Sequence, residues 1–146
     1  MNWKIKRFEE LDIKELYEIL RVRAEVFVVE QNCVYQDVDL KDFHAYHLFC
    51  EKDGEILAYL RILDSGISYP EVSIGRVLTK ETVRHQGYAR EMMGYAIDYI
   101  QKTLNETSIR ISAQKYLQAF YESFGFCACS EVYLEDDIPH IEMEMK

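Results

Sequence analysis

No apolar run in this chain of 146 residues approaches the roughly 20 needed to cross a bilayer, so no membrane-spanning helix is expected. The opening Met1-Asn-Trp-Lys-Ile5 lacks the apolar block of a secretory signal and already alternates like a strand, which points to the cytoplasm. Basic residues are scarce: 17 Lys and Arg stand against 26 Asp and Glu, a formal net charge of −9. That balance argues against nucleic acid or an anionic membrane as a partner. It suits a cationic amine, and equally an ordinary acidic surface. With two prolines and six glycines, the chain has no linker, internal repeat or low-complexity stretch. It also has no C-x-x-C. Cys33, Cys50, Cys127 and Cys129 are scattered, so buried free thiols are expected rather than a zinc cage or a disulfide framework. His44 and His47 lack a third ligand at suitable spacing, and no metal site is expected.

Hydrophobic residues make up 49% of the chain, enough for a core in one domain spanning residues 1–146. Trp3 to Phe8 alternates as a first strand. Asp12-Ile-Lys-Glu15 has the spacing of a capping box and opens a helix carrying Ile13, Leu16, Leu20, Ala24 and Phe27. The stretch 30–43 has no periodicity and reads as a loop with at most a short helix. Asp53-Gly54 between two extended runs, 47–51 and 56–63, signals a hairpin. A loop over 64–71 leads to the β-branched run 72–79. Met92, Met93, Ala96, Ile97, Ile100 and Leu104 then trace one helix face. Beyond a short strand at 109–113 and a short helix closed by Gly125, a last strand pair covers 126–134 and 138–145. The order β-α-β-β-β-α-β-α-β-β predicts an α/β fold with a mixed sheet.

The stretch from Val72 to Leu104 carries the most chemistry. A strand, the loop Arg84-His-Gln-Gly-Tyr-Ala89 and an amphipathic helix together can hold a pyrophosphate. Glycine permits close backbone approach, and the first helical N–H groups and the helix dipole attract the negative charge. Neither G-x-G-x-x-G nor G-K-[ST] is present, so the phosphates belong to neither of those nucleotide folds. The spacing [Arg/Gln]-x-x-Gly-x-[Gly/Ala], met by Arg84, Gly87 and Ala89, resembles the acyl-CoA loop of the GNAT family of N-acetyltransferases. Ala119-Phe-Tyr-Glu-Ser-Phe-Gly-Phe126 resembles a second signature of that family, with Tyr121, Gly125 and Phe126 in register and Ala119 slightly too close. Phe27-Val-Val-Glu-Gln31, Tyr35-Gln-Asp-Val-Asp39, Ile74-Gly-Arg-Val77 and Ile138-Pro-His140 are similar to the ElaA-like group within it. Asp137 stands where that group's pattern has glycine.

The resemblance implies a GNAT-like fold, a mixed and mostly antiparallel central sheet flanked by helices, with acetyl-CoA as co-substrate and no metal. It implies that Val77, Leu78 and Thr79 receive the pantetheine arm through their backbone, and that Arg84, His85, Gln86, Gly87, Tyr88, Ala89 and Arg90 hold the pyrophosphate. Tyr121 would protonate the departing thiolate, as a phenol of pKa about 10 can, or it simply packs against the core. His140 is the first candidate for general base, with Glu30 and His47 as alternatives near the substrate, and an already neutral amine could attack unaided. Arg76, in the strand interior with Ile74 and Leu78, either orients a substrate carboxylate or pairs with Asp37 or Asp39.

The reading is an acyl-CoA-dependent N-acyltransferase moving an acetyl group to a primary amine of a small molecule or peptide by direct attack. A CoA-binding module without turnover and an enzyme using a longer acyl donor are the alternatives. The acceptor would be met by variable loops, 30–43 and 64–71. A homodimer is expected only as the commonest closed assembly.

Overall fold

In the computed structural model, which describes residues 2–146, eight strands form one sheet in the order β1-β2-β3-β4-β5-β8-β6, with β7 pairing on β8 beside β6. The strands are β1 (Asn2–Arg7), β2 (Ala45–Lys52), β3 (Glu55–Leu63), β4 (Val72–Thr79), β5 (Ile109–Gln114), β6 (Cys127–Ala128), β7 (Tyr133–Glu135) and β8 (Ile138–Met145). The helices are α1 (Ile13–Arg23), α2 (Tyr88–Lys102) and α3 (Gln118–Glu122). Every strand pair is antiparallel except β4–β5, which α2 joins as a crossover. The mixed, mostly antiparallel sheet is the one expected.

Alternation along β2 and β3, with a register shift at Leu57 that turns Ile56 to the opposite face from Ala58, divides the interior in two. Leu48, Cys50, Ala58, Leu60 and Ile62 face α2 with Met92, Met93, Ala96 and Ile100. Phe49, Ile56 and Tyr59 face α1 with Ile19, Val22 and Val26. A strand covered on both faces is apolar throughout, which is why β3 reads as a nearly continuous hydrophobic run.

The capping box forms as its spacing predicts: the Asp12 carboxylate accepts from the Glu15 amide at 2.7 Å, and Glu15 accepts from the Asp12 amide at 3.0 Å. Where Val26-Phe-Val-Val29 leaves the helix end ambiguous, the chain widens into a π-helical segment, Ala24–Glu30. The expected continuous strand over 126–134 is broken, because β6 is two residues long and the chain leaves the sheet before β7. Its thiols are therefore not buried. Cys127 and Cys129 are exposed and Cys33 is half-buried, which leaves Cys50 as the one enclosed thiol, and all four are free. The turn before β8 puts Asp136 and Asp137 at φ of +50° and +62°, the two left-handed positions of a tight hairpin. Aspartate tolerates that conformation, so Asp137 can replace glycine there.

Candidate functional site

Two irregularities in β4 create the site. Its pairing with β3 skips one residue between Gly75 and Leu78, where Arg76 stands at φ +53°, so the strand carries a β-bulge. The bulge breaks the simple alternation expected for Ile74, Arg76 and Leu78. Ile74 joins the core under α2, Leu78 joins the core under α1, and Arg76 turns into a cavity. The second irregularity is a parting of strands. β4 pairs with β5 only at Val72 and Ser73, so from Ile74 to Thr79 its edge toward β5 has no strand partner.

The loop after β4 leads directly to the N-terminus of α2. Gly87 occupies the N-cap at φ +86°, a conformation that glycine adopts without penalty, and His85 sits at φ +64°. A Cβ built on Gly87 would meet nothing within 4 Å, so the space before the helix is open. The N–H groups of His85, Gln86, Gly87, Tyr88, Ala89 and Arg90 have no acceptor among the described residues. Successive free donors at a helix start form an anion cradle. The open β4 edge and this cradle lie at the two ends of one short loop. Together they fit a ligand carrying amides at one end and phosphates at the other.

The side chains of this loop do other work. Arg84 donates to the Thr79 carbonyl from Nε at 3.1 Å and from Nη2 at 3.0 Å, and its guanidinium forms a two-pronged pair with Glu30. The Glu30 carboxyl is held below its usual range by that arginine. Arg90 lies over the rings of Phe120 and Phe124 and donates to Ser123 Oγ at 3.2 Å, which fastens α2 to α3. Tyr88 packs against the core, and Gln86 Nε2 donates to the Thr82 carbonyl at 3.3 Å. The loop presents its backbone, while its side chains secure it.

Where β4 and β5 part, a cavity of about 600 Å³ passes between them. Ile74, Ile111 and Tyr121 line it from the α2 side of the sheet, and Arg61, Arg76, Ser112 and His140 from the other. Tyr121, on α3, is nearly buried, and its hydroxyl has no hydrogen-bond partner among the described residues. Burial raises its pKa, so the phenol stays protonated. His140 begins the inner part of β8. Its Nδ1 lies 2.7 Å from the Ile138 carbonyl, which can only accept, so Nδ1 carries a proton. Glu135 Oε2 is 3.5 Å from its Nε2, and Tyr133 stacks on the ring. Sequence reasoning missed Glu135 and Tyr133. The two-residue turn at Asp136-Asp137 sets the register Tyr133↔His140 and was the available signal.

The structure thus brings together Tyr121, His140, Arg76 and Val77 on one cavity. Glu30 stands outside its lining, tied to Arg84. The expectation for His47 is corrected. It is fully buried under the loop before β2, Nδ1 accepts from the Tyr59 hydroxyl at 2.6 Å, and Nε2 donates to the Asp42 carbonyl at 3.0 Å. Both nitrogens are used and burial lowers its pKa, so it is a neutral structural residue with no face for a substrate.

Beneath the cavity lies a chain of alternating charges. The buried Arg23 binds Asp37 (2.9 Å) and Asp42 (2.7 Å), Arg61 binds Asp42 (3.0 Å) and Asp39 (2.6 Å), and Arg76 returns to Asp37 (2.8 Å). Burial works against the Asp39 charge, but Arg61 and Arg76 outweigh it and hold its pKa at about 2. Tyr35 closes the group, donating to Asp37 Oδ1 at 2.6 Å beneath the Arg76 guanidinium. This network folds the otherwise aperiodic stretch 31–44 against the sheet, and it answers the Arg76 alternatives: the residue pairs with both Asp37 and Asp39 while lining the cavity.

A sheet that opens at its single parallel pair, beside a helix N-terminus stripped of side chains, defines the GNAT class of acyltransferase folds. Residues 14–146 match the acetyltransferase (GNAT) domain family, and the chain belongs to that family, within its ElaA-like group. It is 39% identical over 145 residues to the ElaA protein of Escherichia coli, covering 98% of this chain and 95% of that one. A Schizosaccharomyces pombe protein is 40% identical over 148 residues, 100% of this chain and 97% of its own. Among solved structures, an acyl-CoA N-acyltransferase from Pseudomonas aeruginosa superposes over the whole of both chains with a TM-score of 0.94 at 44% identity. Escherichia coli ElaA does so at 0.93 and 38%. An aminoglycoside 6′-N-acetyltransferase complexed with coenzyme A shares the fold at 11% identity and a TM-score of 0.72.

Proposed function

We propose that this protein transfers an acetyl group from acetyl-CoA to a primary amine of a small molecule or peptide, by direct attack of the amine. The observation that carries the reading is the parting of β4 from β5 over a cavity that holds a protonated phenol and an imidazole anchored through Nδ1. Bound CoA supplies the acetyl group as a thioester. The unpaired edge from Val77 to Thr79 holds the pantetheine amides as an added strand would. The N–H groups from His85 to Arg90 hold the pyrophosphate, and Arg84 acts by fixing the end of β4 to the loop.

His140 Nε2 takes the proton of the incoming ammonium, with Glu135 beside it to stabilise the charged ring. Tyr121 gives its proton to the sulfur as the C–S bond breaks, and it regains one from the attacking nitrogen, which sheds its second proton on becoming an amide. Positioning supplies most of the acceleration, because the acceptor amine needs no nucleophile of the protein's own. The four free thiols suit a reducing compartment, and we place the reaction in the cytoplasm.

The test is acetyl-CoA-dependent thiol release across a panel of amines and peptides, with calorimetric binding of acetyl-CoA alongside. Binding without thiol release for any amine would favour a CoA-holding module instead. For His140, replacement by Gln should lower kcat for every amine that reacts while leaving acetyl-CoA affinity unchanged. An unaltered kcat would remove His140 from the scheme.

A further inference from the structure

The charges lining the cavity are not distributed evenly. In the network beneath it, three arginines (Arg23, Arg61, Arg76) meet three aspartates (Asp37, Asp39, Asp42), which leaves it neutral overall. Two sets of charge remain on the lining. At one end Lys41 reaches across from the 31–44 stretch to the 64–71 loop, its Nζ 2.8 Å from Ser68 Oγ, with no carboxylate within salt-bridge distance among the described residues. Elsewhere on the lining Glu135 and Asp136 carry negative charge with no lysine or arginine partner among the described residues, next to His140.

Resting on the acyl-transfer reading, we infer that the acceptor is a primary amine that also bears a carboxylate, a free amino acid or a short peptide, with its ammonium at Glu135–His140 and its carboxylate at Lys41. The placement is chemically economical. Glu135 and Asp136 attract the ammonium to the one imidazole able to take its proton. Lys41 holds the far end by a charge-assisted hydrogen bond. A plain diamine would leave Lys41 facing a second cation, and a dicarboxylate would set its extra charge against Glu135.

The experiment compares kcat/KM by thiol release for amino acids of increasing amine–carboxylate separation and for short peptides, each against its own amide and its decarboxylated amine. The carboxylate form is expected to exceed both by about tenfold or more, since one charged hydrogen bond is lost in each control. Lys41→Met should collapse that ratio, and Lys41→Arg should preserve it. Equal rates for acids, amides and decarboxylated amines would overturn the inference while leaving acyl transfer intact, and so would a ratio that survives Lys41→Met. Thiol release from none of the amines would bring down the acyl-transfer reading and this inference with it.

Discussion

Replacing Arg23 with methionine tests whether the buried charge network holds the cavity's floor in place. The arginine side chain is fully buried and donates three hydrogen bonds: to Asp37 Oδ2, to Asp42 Oδ1 and to the Asp37 carbonyl. Methionine fills most of the volume, so the perturbation is chiefly electrostatic. Asp42, already with one oxygen unpartnered, would depend on Arg61 alone. Asp37 would keep Arg76 and Tyr35. Removing one partner of a buried ion pair costs about 3–5 kcal/mol, and a domain of this size loses about 2–4 °C of Tm per kcal/mol. The expected drop is therefore roughly 6–20 °C. Urea and thermal unfolding followed by circular dichroism would measure it, and Arg23→Lys should fall between the two. A loss below about 1 kcal/mol would refute the reasoning, because water would then already be solvating the carboxylates.

Gly87→Glu should abolish acetyl-CoA binding by calorimetry while leaving the fold intact, since an acidic residue suits a helix N-terminus; the strain of a side chain at positive φ costs about 1–2 kcal/mol. Unchanged affinity would move the phosphates elsewhere. Tyr121→Phe should lower kcat by about 10²-fold or more with little change in acetyl-CoA affinity, and equal loss of both would mean that the ring only packs. His47 has its folded pKa below the ordinary 6.5, so the unfolded chain takes up the proton first. Its contribution to stability is full above 6.5 and falls away as pH drops below it. His47→Gln should flatten that fall in pH-dependent unfolding, and an identical pH dependence would contradict the burial.

Periodicity and turn chemistry made most elements legible: the Asp12 cap, the Asp53-Gly54 hairpin and the apolar face of α2 all form where their spacing puts them. Spacing failed where one residue breaks a period. Nothing local marks Arg76 as the bulge, because positive φ in an arginine is held by partners such as Asp37, distant in sequence. The stretch 30–43 has no periodicity, and reads as a loop with at most a short helix, for the same reason: its order comes from ion pairs to α1, β3 and β4, not from a repeat of its own. His47 misled because a histidine's burial depends on Tyr59 in the neighbouring strand, which no pattern within β2 reveals.

The gap between β4 and β5 has a consequence for how such a protein can diverge. A sheet normally separates whatever lies on its two faces, but here a cavity joins them, and in the proposed reaction two molecules would meet through it, each held by different parts of the chain. The cradle side consists mainly of backbone, which substitution barely alters. The other side consists of side chains, from strands as well as from the stretches 31–44 and 64–71, and substitution alters them directly. One partner of the encounter can be exchanged over generations while the other stays the same.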